Sequence, residues 1–63
     1  MRREIGRYTV ESTNDLITIN ERTLGTIWGK TFPLSAIRKH FNEVCNKVES
    51  RIALEQERKS ESQ

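Results

Sequence analysis

The chain is expected to adopt an α+β fold: a small antiparallel β-hairpin or three-stranded β-meander followed by one long amphipathic C-terminal helix. Before Phe32 polar and apolar residues alternate, the period of a half-buried strand, whereas after Pro33 apolar residues recur at steps of three and four, the period of a helical face. Length is the third observation. A chain of 63 residues has room for a single core, so both halves must share it, and residues 1–63 read as one small domain with strands within 5–32, a helix over about 33–58 and a frayed tail at 59–63.

In the first strand, Tyr8 and Val10 fall on one face and Arg7, Thr9 and Glu11 on the other. Ser12-Thr13-Asn14-Asp15 supplies turn-forming residues, and Leu16-Ile17-Thr18-Ile19 is compact and rich in β-branched side chains, so the pair reads as an antiparallel hairpin. Asn20 to Thr23 is a polar connection, after which Gly25 offers a permissive backbone position. Thr26-Ile27-Trp28 then opens a third strand running toward Phe32, with a bulge or tight bend expected at Gly29.

Pro33 suits a first helical turn and discourages helical geometry at Phe32, so sheet should give way to helix there. Leu34, Ile37, Phe41, Val44, Cys45, Val48 and Ile52 form one apolar stripe, with Lys39, Asn42, Glu43, Asn46, Lys47 and Ser50 away from it. Beyond Ile52 the stripe positions become Glu55 and Lys59. A helix from Pro33 to about Arg58 would be roughly 39 Å long, against the roughly 17–20 Å of a typical strand. The helix should therefore overhang its sheet.

Little in the composition points to chemistry. Eleven basic against nine acidic residues give a net charge of +2, and there is one cysteine and one histidine. An intrachain disulfide is thereby excluded, and neither a metal site nor any cofactor is expected. Gly29-Lys30-Thr31 copies the end of a phosphate-binding loop, but Leu24 stands where the upstream glycine is required. His40 lies at the edge of the helical stripe and reads as a boundary residue. Cys45 lies within the stripe and reads as a small buried hydrophobe. No catalytic residues are assigned, and no enzyme activity is expected. Neither a bilayer-spanning run nor a signal-peptide pattern is present, and with a free thiol this makes a cytoplasmic, non-membrane protein the expectation.

A protein-binding or regulatory role is the leading functional expectation. With 33% hydrophobic residues, a chain this small gains most from a second subunit, so a homodimer or small homo-oligomer is expected alongside a separate protein partner. The interface residues are Phe41, Val44, Val48 and Ile52 on the helix, joined by Trp28 as an aromatic anchor. The alternative is a nucleic-acid-binding, DNA-regulatory role. It would use Arg2, Arg3, Arg7, Lys30, Arg38 and Lys39 as phosphate contacts, provided the fold gathers them into one patch.

Overall fold

Three short connections decide where the chain reverses, and so where each strand begins. The computed structural model describes the backbone of residues 1–61 and the side chains of residues 1–56. Its elements are β1 (Arg2–Ile5), β2 (Tyr8–Thr13), β3 (Leu16–Glu21), β4 (Gly25–Thr31), a single 3-10 turn (Leu34–Ala36) and α1 (Ile37–Glu61). The strands form one antiparallel sheet in the order β1-β2-β3-β4, giving an α+β fold of a four-stranded meander and one long C-terminal helix.

The sheet has one strand more than expected. Ile5 pairs with Tyr8, leaving Gly6-Arg7 as a two-residue loop in which Gly6 has φ +59°. A glycine of positive φ at the first loop position suits the tight hairpins whose twist matches that of their strands. This turn folds Arg2-Arg3-Glu4-Ile5 back onto β2. Three of those four residues are charged, which hid the strand from an alternation of apolar residues. Arg3 and Ile5 share the face of Val10 and Tyr8, and the Arg3 guanidinium reaches past the core to Glu49 at 2.8 Å.

Asn14-Asp15 is the second loop, closed by the pair Thr13–Leu16, with Asn14 in the left-handed region at φ 54°. Asparagine is among the few non-glycine residues that visit this region readily. The third connection, residues 22–24, ends on Gly25 at φ +80°. Glu21 fixes this turn: its carboxylate accepts hydrogen bonds from the backbone N–H groups of Thr23 and Leu24, both at 3.0 Å.

The bulge lies at a different place from the one expected. Ile19 pairs with Trp28 and Asn20 with Thr26, so Ile27 is the extra residue, while Gly29 stays in register opposite Thr18. Two adjacent large apolar residues, Ile27 and Trp28, cannot both follow a strict alternation. The bulge is how β4 accommodates them.

Pro33 is extended (φ −59°, ψ 137°), and its carbonyl accepts the Ala36 N–H at 3.0 Å, so one 3-10 turn intervenes before α1 starts at Ile37. Leu34, expected on the buried stripe, is 66% exposed for this reason. The rest of the stripe packs as expected: Phe41, Val44, Cys45 and Val48 are buried with Tyr8, Val10 and Ile17, and Ile37 and Ile52 pack at the margin. The α-helix runs through Glu61, beyond the expected end near Arg58, and positions 62 and 63 of the expected tail lie outside the described residues. At 25 residues it is about 37 Å long. The radius of gyration, 13.0 Å, exceeds the roughly 10.6 Å of an equally long globular chain. The projecting end of the helix accounts for the difference.

Candidate functional site

Helix α1 lies chiefly against β2 and β1. Its position buries Ile17 of β3 but leaves Ile19 only partly covered and the same face of β4 bare. Every residue of β4 is exposed although all but Ile27 are paired to β3, in contrast to β2, where Tyr8 and Val10 are buried. Between the helix and this bare face runs an open groove of about 840 Å³.

The floor of the groove comes from Ile19 and its cross-strand partner Trp28, and its outer lip from Ile27 and Leu24. Trp28 is 38% exposed, Ile27 47% and Leu24 76%. The opposite wall is a helical ridge: His40, Glu43, Val44, Lys47, Val48 and Arg51 fall at the three- and four-residue steps that share one face. From His40 to Arg51 this ridge is about 16 Å long.

At one end Phe32 closes the groove. The His40 ring stacks on it at a centroid distance of 4.4 Å, and the Lys30 ammonium stands 5.5 Å from its centroid. His40 Nδ1 also lies 3.4 Å from Glu43, a pairing that becomes ionic when the imidazole is protonated. Arg7 marks the other end, donating to the Tyr8 hydroxyl at 2.9 Å and to Glu55 at 3.0 Å while its guanidinium lies over the Tyr8 ring. The nearby Glu21 carboxyl is held below the usual carboxylate range. The Thr23 amide is the largest cause, and burial opposes the shift.

Four cations, Arg7, Lys30, Lys47 and Arg51, line the groove against two carboxylates. Both carboxylates have other partners, Glu21 the turn amides and Glu43 the imidazole. Arg7 and Arg51 share Glu55, at 3.0 and 3.6 Å. The groove therefore has an apolar floor and a positive rim.

Of the residues expected at an interface, Phe41, Val44 and Val48 belong to the chain's own core, and Ile52 packs beside Gly6. Trp28 alone of that set keeps a large exposed surface. Of the six residues expected at phosphates, Arg7 and Lys30 line the groove, at its two ends. Arg2 and Arg3 lie in β1, at the opposite edge of the sheet from β4, and Arg38 and Lys39 are at the start of α1. Arg2, Arg3 and Arg7 are engaged by Glu4, Glu49 and Glu55 respectively. The side chains missed by periodicity are Ile19, Leu24, Ile27, Lys47 and Arg51. The Ile27-Trp28 pair was the available signal, since it calls for a bulge and leaves apolar surface at a strand edge.

The Cys45 thiol is fully buried, and burial pushes its pKa up. Among the described residues no group of three or more His, Cys, Asp or Glu side chains is placed to hold a metal ion, and no helix is long and apolar enough to cross a membrane. In comparisons with known proteins, the chain matches no family model, no curated protein and no solved structure.

Proposed function

We propose that this protein is a protein-binding module whose docking site is the groove between α1 and the β3–β4 half of the sheet. One observation carries the proposal: β4 exposes Ile27 and Trp28 next to Leu24, so that the apolar surface left bare is contiguous and lies in a concavity. Contiguous apolar surface with a polar rim is characteristic of interaction sites rather than of ordinary solvated surface. Area points the same way. The accessible surface is 4956 Å², about 750 Å² above the roughly 4,200 Å² expected of a folded monomer of this mass. A partner in a standard interface covers about 800 Å² per side.

Self-association through the helical stripe has less support, because its central residues are already covered by the chain's own sheet. The nucleic-acid reading also has less. Phe32 is occupied by His40 and Lys30, Tyr8 is buried, and only Trp28 is left to stack on a base.

Replacing Ile27 by a photo-crosslinking amino acid, with Glu11 on the opposite face as control, tests the proposal in cells. A polypeptide captured from position 27 and not from position 11 is then purified and titrated against Trp28 fluorescence. A saturable change that Ile27→Asp abolishes is expected. Capture from both positions, no capture, or a titration indifferent to Ile27→Asp would overturn the docking role.

A further inference from the structure

Building on the docking role proposed above, we infer that the groove takes an amphipathic helix with acidic flanks, contributed by a different protein and laid alongside α1 over β3 and β4. The spacing of the sheet gives the first reason. Neighbouring strands are about 4.8 Å apart, so the midline of β3–β4 lies about 7–10 Å to the side of α1, which packs chiefly on β2 and then on β1. Packed helices have axes about 8–10 Å apart. A four-stranded sheet has width for two helices on one face, and this chain supplies one.

The wall of the groove is the second reason. Val44 and Val48 are buried on the sheet side of α1, and Lys47 and Arg51 stand further out on the same ridge. A helix seated on Ile19, Trp28 and Ile27 would continue that apolar layer and carry its flanking residues up to the two cations. An added strand on the β4 edge would meet the bulge at Ile27, which interrupts a regular ladder. The bulge thus favours a helix on the face over a strand on the edge.

Charge selects the partner. Lys30 and Lys47 have no carboxylate partner among the described residues, and Arg7 and Arg51 share one. Two copies meeting groove to groove would bring four cations against four. The chain's own helix is a poor occupant as well: past Ile52 it exposes Ala53 and Leu54, and the sequence then turns to Glu57-Arg58-Lys59 with no further apolar stripe. Carboxylates flanking an apolar stripe complement the groove on both counts.

The test uses the full chain and fluorescein-labelled synthetic peptides of three to four helical turns. One has a leucine stripe with glutamate flanks, the second has the same stripe with lysine flanks, and the third is the first with a central proline. The glutamate peptide is expected to bind more tightly than the lysine peptide by about tenfold or more at low salt, with the margin shrinking as salt screens it. Lys30→Glu combined with Lys47→Glu, both exposed and checked for folding by circular dichroism, should reverse the order, and the proline peptide should lose binding. Equal affinity for the two flank types, undiminished binding of the proline peptide, tighter binding of a single-stranded oligonucleotide, or no binding by the glutamate helix would overturn the inference. If a crosslinked partner still depends on Ile27 while the glutamate helix fails, the docking role stands and the acidic helix does not.

Discussion

Gly6 meets two demands at once. Its φ of +59° is a conformation that costs a residue with a Cβ about 1–2 kcal/mol, and a Cβ built there would lie 2.7 Å from Ile52 Cδ1. The Ile52 methyl ends a flexible side chain and can swing aside, so the backbone term dominates. Gly6→Ala should therefore destabilise the protein by about 1–3 kcal/mol in urea unfolding, and an unchanged midpoint would contradict this reading. Glu21 makes the acid limb of stability steeper. Its folded pKa lies below the unfolded value, chiefly through the Thr23 amide. Its contribution is therefore complete above the ordinary glutamate pKa of about 4.3 and is lost as pH falls through the lower folded value. Between about pH 6 and pH 3, wild type should lose more stability than Glu21→Gln; parallel losses would show that the turn does not depend on the charge. Neither residue's role was legible from periodicity. A positive φ and a carboxylate turned onto its own loop depend on hairpin closure, which composition signals only through the presence of glycine, asparagine and short polar runs.

At the scale of the elements, the helix was the most legible part, because seven apolar positions within one arc fit the helical period and no strand period. What periodicity could not specify was what covers that arc. Phe41, Val44 and Val48 read equally well as core and as interface, and Tyr8, Val10 and Ile17 of β2 and β3 decide for core by packing against them. Val48→Asp should accordingly unfold the protein, since it places a carboxylate at a site only 6% exposed. Leu34→Ala and Leu54→Ala, at exposed sites, should change stability by no more than about 0.5 kcal/mol. Far-ultraviolet circular dichroism melts separate these outcomes, and a folded Val48→Asp protein would contradict the packing. Strand β1 was not legible because Arg2, Arg3 and Glu4 give no apolar alternation, although Gly6 between Ile5 and Tyr8 was the trace it left. The β4 bulge was expected, but at Gly29 rather than at Ile27, since glycine is the usual mark of a bulge while two adjacent bulky residues are what the ladder has to accommodate.

Over the whole molecule, the main structural feature is an asymmetry of cover: one helix packs chiefly on β2 and β1, and an apolar, positively rimmed groove runs between it and the exposed β4. The sequence conveyed the α+β order and singled out Trp28 as a candidate aromatic anchor, though not its exposure in a groove. The groove itself was not legible, because it depends on which strands the helix crosses, and that follows from a strand count periodicity underestimated by one. The basic residues illustrate the same limit. Their clustering along the chain suggested a patch, whereas strand order sends Arg3 and Lys30 to opposite edges. Docking at the groove is most directly measured by two-dimensional ¹⁵N–¹H NMR of the full chain titrated with the glutamate-flanked helical peptide. Progressive, saturable shifts should appear at Ile19, Ile27, Trp28, Lys47 and Arg51, with the opposite sheet face at Thr9, Glu11 and Thr18 unmoved. Shifts centred on that opposite face or on the β1 edge, or no saturable shifts at all, would contradict the assignment of the groove as the docking site.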